Sequence, residues 1–570
     1  MKRTTIPLLC ALLLLSGCQQ TEPSSAESGS APTAAEPVSV IDTSALFSGR
    51  DLDSSYDGST AVRIRLEGET AICDSDAVSI DGSRITLLDE GTYLVSGTLT
   101  DGQIMVDAGD TDKVQIVLDG ASLTCADSAA IYSKSADKVF LTLAEGTENT
   151  LSNGGSYTAI DENNIDSVVF SKTDLTLNGS GSLTIDARAG HGVVSKDELT
   201  ITGGTYTVTA AEHGMTGKDS LAVAGGDLTI TSGKDGLHAE NADDAAMGFL
   251  YVADGTFTIA AQGDAVSASG ALQVDGGTFD LTTGGGSASV TMTTEDSFAP
   301  GGRGGGPGRP DRPQVQGEPP AAGETPPARP DRGGGQPPET PAQPTEGEAA
   351  SVSGTGEETA AAEDTVSRKG VKAEGTLTIN GGAFTVDSAD DCLHSGGDLT
   401  VTGGTFTLSS GDDAVHSDYA VTVRDGEFSI PYCYEGVEGL SVTVEGGTFE
   451  ITAYDDGFNA AGGADSSGFG GRGDQFAVSE DSFITVNGGT ITIVSDGDCL
   501  DSNGNLTVNG GTLDLTCNGN GNTALDCDGN YANNGGSVTT NDGSESNPGG
   551  MGGGRPGGKQ VPSAQETPTA

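Results

Sequence analysis

The sequence predicts an all-β protein whose chain winds into a parallel β-helix with three short strands in each coil. Three observations lead to this prediction: a 22-residue repeat, period-two alternation of apolar residues within each copy, and glycine pairs between the strands. Glycine supplies 89 of the 570 residues, hydrophobic residues make up only 34%, and tryptophan is absent. This composition favours a thin, repetitive β architecture over a thick conventional core.

The repeat occurs in eleven copies, of which LTVTGGTFTLSSGDDAVHSDYA, residues 399–420, is a clean example. If the first residue is position 0, apolar residues recur at positions 0 and 2, at 7 and 9, and at 16, as expected for three short strands. One copy alone cannot bury its apolar edge, so we expect the copies to stack as coils about 4.8 Å apart. The copies begin at Leu175, Leu199, Leu221, Leu250, Leu272, Leu377, Leu399, Val421, Val442, Ile484 and Leu506.

Two further features of the repeat fit stacked coils. Glycine pairs at positions 4 and 5, such as Gly403-Gly404, mark a corner that needs a left-handed backbone, which glycine adopts without steric cost. Position 7, which the alternation turns inward, is aromatic in most copies. An aromatic stripe is also typical of a sugar platform, but here we expect rings stacked in the core. They are Tyr206, Phe257, Phe279, Phe384, Phe406, Phe428 and Phe449.

The domain organisation follows from where the repeat begins and breaks. Residues 56–295 form the N-terminal part of the predicted β-helix, with longer and less regular strands over residues 60–170. Residues 296–366 are rich in Pro and Gly with scattered charge, which predicts a disordered insertion. Residues 367–543 form the C-terminal part, and residues 544–570 predict a disordered tail.

The N-terminus predicts export and lipid anchoring. Two basic residues, a short apolar run and a small-residue stretch make residues 1–18 a signal peptide, too short to span a bilayer permanently. Its end, Leu15-Ser16-Gly17-Cys18, resembles the bacterial lipobox, in which the cysteine is lipidated; the alternative is an ordinary cleaved signal. Residues 19–55 then read as a flexible tether. We expect a monomer on the extracellular face of a bacterial cell envelope, held to the membrane only through its lipid.

Charge and cysteine usage limit the possible partners. The 26 Lys+Arg residues stand against 83 Asp+Glu residues, a formal net charge of −57, which excludes nucleic acid because its phosphates would be repelled. Seven cysteines remain beyond the signal peptide, an odd number without metal-site spacing, so no disulfide framework is predicted. They are Cys73, Cys125, Cys392, Cys433, Cys499, Cys517 and Cys527.

Polar residues recur at the corner that leads into the third strand. Carboxylates stacked about 4.8 Å apart repel one another by about 1 kcal/mol per pair even in water, so something must neutralise them. Position 13 adds Asp390, Asp412 and Asp455 to this corner. Position 14 holds His213, Asp235, Asp264, Lys369, Asp391, Asp413, Glu435, Asp456 and Asp498. Position 17, predicted to face outward, holds Thr216, His238, Ser267, Lys372, His394, His416, Glu438, Asn459 and Asp501.

Calcium is the cation that this corner predicts, because it accepts six to eight oxygen ligands in loose geometry. Two strings near the C-terminal end, DSNGN from Asp501 and DCDGN from Asp526, have the alternate-oxygen spacing of calcium loops. The alternative is a solvated acidic edge with Asp favoured as a turn residue. Zinc is not expected, since His238 lies several coils from His394 and His416. The predicted calcium ligands are Asp390, Asp391, Asp412, Asp413, Asp455, Asp456, Asp498, Asp501, Asn503, Asp526 and Asp528, and the predicted ligand-contacting residues are His394, His416, Lys372, Glu438 and Asn459.

The assembled features resemble a family of secreted bacterial proteins, the carbohydrate-binding domain-containing proteins. The resemblance covers roughly residues 60–540 and is carried by ITLLDEGTYLVSGTLTDGQIMVDA (85–108), LTITGG, DGLHAE, GVKAEGTLTINGG and DDAVHS. Its most specific part is the block DKVQIVLDGASLTCADSAAIYSKSADKVFLTLAEGTENTLSNG (112–154). The resemblance implies a right-handed parallel β-helix similar to pectate lyases, bound calcium, and affinity for plant cell-wall glycans of the cellulose or polygalacturonate type.

Three functions remain open at the level of sequence. The first is non-catalytic polysaccharide binding at the cell surface, with calcium stabilising the solenoid and bridging it to acidic ligands. The second is a calcium-dependent polysaccharide lyase, with Lys369 or Lys372 available as a base. The third is a structural adhesin that projects something outward. No distinct catalytic constellation is visible, which favours the first function.

Overall fold

The computed structural model describes residues 41–244, 246–292, 366–460, 479, 481–546 and 548. Within these ranges the chain forms 43 strands, two 3-10 helices, Ser287–Ser289 and Ser544–Ser546, and no α-helix. The described strands belong to one compact unit, Val38–Ala570. The predicted signal peptide with Cys18, the insertion up to residue 365 and the tail beyond residue 548 lie outside the described residues.

The strands pair in a regular pattern set by the repeat. Most strands pair in parallel with the strand three places further along the chain: Thr205–Ala210 pairs with Asp227–Ser232, which pairs with Thr256–Ala261. Three series of parallel pairs result, and we name them ladders 1, 2 and 3 after the first, second and third strands of the repeat. Equivalent positions of successive copies therefore lie side by side.

Ladder 1 contains the strands that begin near position 0. Two long N-terminal strands, Gly91–Leu99 and Lys113–Cys125, enter it and continue into ladder 2. Its other strands are Lys138–Leu143, Asp174–Gly179, Glu198–Ile201, Ser220–Val223, Phe249–Val252, Leu272–Val274, Leu377–Ile379, Leu399–Val401, Phe483–Val486, Asn505–Val508 and Tyr531–Asn533.

Ladder 2 carries the aromatic position 7. Its strands are Glu148–Asn153, Ser182–Ala187, Thr205–Ala210, Asp227–Ser232, Thr256–Ala261, Thr278–Thr283, Ala383–Ser388, Thr405–Ser410, Glu427–Cys433, Thr448–Ala453, Thr490–Ser495, Thr512–Cys517 and Ser537–Thr540.

Ladder 3 begins at the polar corner. Two of its strands, Val415–Val423 and Val437–Val444, run on into ladder 1. The other strands are Arg84–Leu87, Gln103–Asp107, Ile131–Ser135, Ser167–Ser171, His191–Ser195, Met215–Gly217, Leu237–Ala239, Val266–Ala268, Val371–Ala373, Leu393–Ser395, Phe458–Ala460 and Leu500–Ser502.

Antiparallel pairing occurs at the N-terminal end and makes the sheet mixed. Val62–Gly68 pairs in parallel with Gly91–Leu99 and antiparallel with Ala71–Ile72. Val78–Asp81 pairs antiparallel with Arg84–Leu87. The all-β class that the sequence predicts is confirmed, and no described helix is long and apolar enough to cross a membrane.

The core is a file of rings flanked by aliphatic side chains. The position-7 aromatics are all at most 3% exposed, and the rings from Phe257 to Phe449 stack face to face with centroids 4.5–5.1 Å apart. The second glycine of each pair has a positive φ, for example +119° at Gly404, where a Cβ would lie 3.1 Å from both the Gly382 carbonyl and the Phe406 ring. The predicted core position of the aromatics is confirmed.

The N-terminal segment packs onto the side of ladder 1 that faces away from the core. Asp51 is 1% exposed, and its carboxylate accepts hydrogen bonds from Lys138 Nζ at 2.9 Å and Thr176 Oγ1 at 2.6 Å. The Arg50 guanidinium lies 5.0 Å from the centre of the Phe140 ring. Asp51, which falls within the predicted tether of residues 19–55, is thus a buried acceptor for polar side chains of the strands.

The described structure continues past residue 543, into the first residues of the predicted C-terminal tail. The buried Ser544 accepts a hydrogen bond on its Oγ from the Leu525 N–H at 3.1 Å, so the first residues of the predicted tail pack on the last repeat copy. The seven cysteines named above are free thiols.

Candidate functional site

The polar corner predicted from the repeat forms a continuous file of side chains in the structure. The register pairs Thr216 with His238, His394 with His416, and Glu438 with Asn459, so position-17 residues of successive copies lie side by side. We call positions 13, 14 and 17 of all copies, with the equivalent residues His191 and Asp526, the polar edge. All five histidines of the chain lie on it: His191, His213, His238, His394 and His416.

Position 14 has a structural role that repeats from copy to copy. In most copies its side chain accepts a hydrogen bond from the backbone N–H of the equivalent residue in the next copy; at Lys369, which cannot accept, Asp390 Oδ1 accepts from the Asp391 N–H instead. Asp391 Oδ1 accepts from the Asp413 N–H at 3.1 Å, and Asp413 Oδ1 accepts in turn from the Glu435 N–H at 3.2 Å. An acceptor is needed here because a buried N–H without a partner is costly. The same bond joins His191 to His213, His213 to Asp235, Asp235 to Asp264, Asp264 to Lys369, Asp456 to Asp498, and Asp498 to Thr523.

The N-terminal part of the polar edge is built around one carboxylate among stacked imidazoles. His213 stacks on His191 at 5.1 Å and on His238 at 4.2 Å between ring centroids. Asp235 Oδ2 lies 2.7 Å from His238 Nδ1 and 3.4 Å from His213 Nδ1. Burial opposes ionisation of Asp235, yet the adjacent imidazoles, above all His238 at 2.7 Å, lower its pKa. The carboxylate is thus stabilised by groups of the protein itself.

Two lysines neutralise the next carboxylates along the edge. Lys369 Nζ donates to Asp391 Oδ2 at 2.7 Å and to Asp390 Oδ1 at 2.9 Å. Lys372 Nζ lies 2.8 Å from Glu374 Oε1 and 3.8 Å from Asp264 Oδ2. Although burial disfavours their charged forms, the adjacent carboxylates raise the pKa of both lysines. Both amines therefore remain protonated, which makes them counter-ions rather than bases.

His416 is the last basic residue along the polar edge. Its Nδ1 lies 2.8 Å from Glu438 Oε2 and 3.0 Å from Asp413 Oδ2, and its ring stacks on His394 at 5.0 Å. Burial opposes protonation of His416, but the surrounding carboxylates raise its pKa. It is the last histidine of the chain, so one imidazolium faces two acids here.

Beyond His416 the polar edge is acidic without protein cations. The only basic residue between Asp425 and Ser546 is Arg472, which lies outside the described residues. Burial, with the nearby Glu438 and Asp413 carboxylates, raises the pKa of Glu435 well above its usual range. Burial and the Asp501 carboxylate raise the pKa of Asp498 to about 8. These shifts reflect buried negative charge, and no basic side chain among the described residues forms an ion pair with Glu435 or Asp498.

Three groups of acids on the edge have carboxylate oxygens within 4.8 Å of one another, the spacing that a cation needs. Two consist of sequence-predicted calcium ligands, and in the first of these Lys369 contacts Asp390 and Asp391. The predicted ligands Asp455, Asp456 and Asp528 belong to none of the groups of acidic and histidine side chains found among the described residues. The groups are Asp390, Asp391 and Asp412; Asp498, Asp501 and Asp526; and Asp413, Glu435 and Glu438.

The third group combines the predicted calcium ligand Asp413 with Glu435 and Glu438, which the sequence did not predict as metal ligands although they stand in the same file. Glu435 is 8% exposed, its Oε1 accepts from Asn459 Nδ2 at 3.0 Å, and its Oε2 is buried without a hydrogen-bond partner. Asn459 Oδ1 is buried and unpartnered as well. Two orphaned oxygens in one acidic group are chemically suited to a hard cation.

The prediction that position 17 faces outward to contact a ligand needs correction. His416 is 1% exposed, His394 6% and Asn459 7%, because each packs against position-14 side chains of its own or neighbouring copies. Lys372 and Glu438 are only partly exposed and are both ion-paired. These residues therefore organise the edge from within instead of presenting a free binding surface.

Together, the fold and the edge define an all-β protein with a buried acidic file. The sequence model of the carbohydrate-binding domain-containing protein family matches residues 81–414 and 412–553, so the chain belongs to this family.

Two similar proteins have a narrower overlap with the chain. A carbohydrate-binding domain-containing protein of Acetivibrio thermocellus is 36% identical over 156 residues, 27% of this chain. The matched stretch spans about half of that relative, 54% of its length. Among solved structures, a gadolinium derivative of the polysaccharide lyase-like protein from C. thermocellum shares 33% identity, with 40% of this chain and 92% of that chain covered and a TM-score of 0.39.

The histidine stack predicts a pH-dependent stability. Burial opposes protonation of His238, but Asp235 and Glu240 raise its pKa above the ordinary value. Its contribution is therefore fully present below about pH 6.5 and is lost as the pH rises through the folded-state value. We expect His238→Gln to destabilise the protein more at pH 5.5 than at pH 9, as measured by urea unfolding.

A matched variant has the opposite sign. Burial and the adjacent His213 lower the pKa of His191 to about 4, so the folded state excludes its protonated form. This penalty grows below about pH 6.5 and amounts to about 1 kcal/mol at pH 5.5. His191→Gln should therefore cost less stability at pH 5.5 than at pH 9. Equal pH profiles for the two variants would contradict this account of the stack.

Proposed function

We propose that the three parallel ladders wind as a right-handed β-helix. The support is the pairing of each strand with the third strand after it, which requires one full turn of chain per repeat copy. Crossover connections between parallel strands are right-handed in almost all proteins, which favours that hand here. The polar edge then runs along the length of the helix.

We further propose that the protein binds polysaccharide at the bacterial cell surface without catalysis. Family membership supports carbohydrate as the ligand class, and the sequence of residues 1–18 supports a lipid anchor at Cys18. The glycan is of the cellulose or acidic, pectin-like type that the resemblance implies. Within the acidic part of the polar edge, the partly exposed group of Asp498, Asp501 and Asp526 is the place where acidic chains attach.

Calcium is the proposed link between this edge and an acidic glycan. The observation that carries the proposal is the file beyond His416, where Glu435, Asp456 and Asp498 follow one another without a basic residue at positions 14 or 17. Buried carboxylates of one sign need a counter-charge, and all-oxygen donor sets select hard cations. Two groups would hold the ion: Asp498, Asp501 and Asp526, where no basic side chain of the described residues pairs with Asp498, and Asp413, Glu435 and Glu438, where the ion would share the acids with His416.

Some of the other predicted calcium ligands would contribute to these sites and others would not. Asp455 and Asp456 stand next to the group of Asp498 in the file and can add oxygens to it. Asp390 and Asp391 need no metal because Lys369 is already their counter-ion. When bound, calcium supplies positive charge that offsets the file and attracts uronate carboxylates, which the chain's own net charge of −57 would repel.

A calcium titration tests this proposal. We expect calcium to raise the melting temperature relative to chelator, with a gain of about 2.7 kcal/mol when calcium is a hundredfold above its Kd. Glu435→Gln should shrink the calcium increment, because it removes one carboxylate ligand from the group. The matched control is Asp390→Asn, whose calcium increment should equal that of the unmodified protein. Identical melting of the unmodified protein in calcium and chelator would remove calcium from the account.

The lyase alternative finds little support in the residues available as bases. Lys369 is 4% exposed and ion-paired, and the pKa values of Lys369 and Lys372 are both raised. A base must be deprotonated to take the proton beside a uronate carboxylate. A structural adhesin would need the polar edge only for the stacking of successive repeat copies.

A panel of immobilised glycans separates the three functions. We expect polygalacturonate to retain the protein in calcium and to release it in chelator, without unsaturated products that absorb in the ultraviolet. Such products would establish a lyase instead. Failure of every glycan in the panel to retain the protein would favour the adhesin and overturn the binding proposal.

A further inference from the structure

Two tyrosines lie on the corner that connects ladder 2 to ladder 3, beside the acidic part of the polar edge. The rings of Tyr434 and Tyr454 have centroids 6.3 Å apart and are inclined by 34°. The Tyr434 N–H donates to the Asp412 carbonyl at 2.7 Å, and the Asp455 N–H donates to the Tyr434 carbonyl at 2.9 Å. Backbone bonds on both sides therefore fix this tyrosine pair in position.

The tyrosine pair is not needed by the hydrophobic core. The inward aromatic position of the same two repeat copies is already filled by Phe428 and Phe449, which stack at 4.7 Å. Neither tyrosine is part of the core cluster, and both are half-buried, while the neighbouring Tyr432 is 39% exposed. Three other copies carry Asp at position 13, namely Asp390, Asp412 and Asp455, where the copy of Tyr434 carries an aromatic residue.

The chemistry of the patch combines aromatic faces with carboxylates. A sugar ring presents an apolar face of C–H groups that packs against an aromatic ring, and its hydroxyls need hydrogen-bond acceptors. The backbones of Asp412 and Asp455 bond to the backbone of Tyr434, so two acidic residues of neighbouring copies adjoin this tyrosine. Aromatic faces with flanking acceptors match a pyranose better than a peptide or a lipid chain.

Charge decides which sugar fits. Tyr434 is followed by Glu435 and Tyr454 by Asp455 and Asp456, so the patch lies in a negative field. A uronate would add another negative charge, repelled by about 1 kcal/mol per neighbour even at water's dielectric. A neutral pyranose has no such penalty, and its hydroxyls donate to carboxylates favourably.

We infer that the tyrosine pair is a stacking site for pyranose rings of a neutral polysaccharide, and that it acts without calcium. This inference rests on the proposed function in taking glycan as the ligand, and it adds a second mode of binding that is distinct from calcium-bridged acidic chains. Loss of both rings should weaken binding about tenfold, the change that about 1.4 kcal/mol of contact represents.

The test is co-sedimentation of the full chain with insoluble cellulose in chelator, at a temperature where circular dichroism shows the protein folded. Unmodified protein should bind, and the double variant Tyr434→Ala/Tyr454→Ala should bind about tenfold more weakly. The variant Tyr434→Phe/Tyr454→Phe should bind as the unmodified protein does, because it keeps both ring faces. Tyr56→Ala, at a tyrosine that is 38% exposed elsewhere, is the control for general loss of an aromatic side chain.

A second readout protects the test if the alanine variant does not fold. The chain has no tryptophan, so tyrosine emission is visible, and a soluble cello-oligosaccharide should change it in the unmodified protein. That change should shrink in the Phe variant although its binding persists. An unchanged signal in the Phe variant would overturn the inference.

The outcomes separate this inference from the proposed function. Cellulose binding that is the same in the Ala variant overturns the inference and leaves glycan binding intact. Retention on polygalacturonate in calcium with no retention on cellulose does the same. Retention on neither glycan overturns both.

Discussion

Parallel, in-register stacking is the constraint on which the rest of this structure depends. Because each strand pairs with its equivalent in the next repeat copy, every position of the repeat becomes a file of like residues about 4.8 Å apart. Apolar files are self-stabilising, as the phenylalanine stack from Phe257 to Phe449 illustrates. Files of carboxylates are not, since each new copy adds charge beside charge.

The carboxylates of the polar edge have different neighbours before and after His416. Up to His416, imidazoles and lysines stand among the acids, so that Asp235 and Asp391 are compensated from within the chain. Beyond His416 the acids continue with no basic residue at positions 14 or 17. The position-14 side chain still serves as acceptor for the next copy's N–H, as Asp456 does for Asp498. The carboxylates are thus retained for the fold, and their charge creates the demand for an external cation.

The repeat made most of this architecture predictable. Its period predicted the stacking of equivalent strands, and its alternation predicted the buried aromatic file. Burial of position 17 was not predictable, because His416 is covered by Asp413 and Glu438, and only their side-chain directions reveal that contact. His191 was missed since its repeat copy is longer than 22 residues, which moves it off the counted position although the register aligns it with the file. Asp51 packs against ladder 1 through hydrogen bonds with residues more than 100 positions away in the chain. No local sequence pattern predicts such contacts.

The central claim is that protein cations neutralise the first part of the polar edge and calcium the second. An anomalous difference map from crystals grown in calcium tests it most directly. The account predicts peaks between Glu435 and Glu438 and at the Asp498, Asp501 and Asp526 group, with none beside Asp390 and Asp391, where Lys369 is the counter-ion. No peak at either acidic group, or a peak beside Lys369 alone, would contradict it.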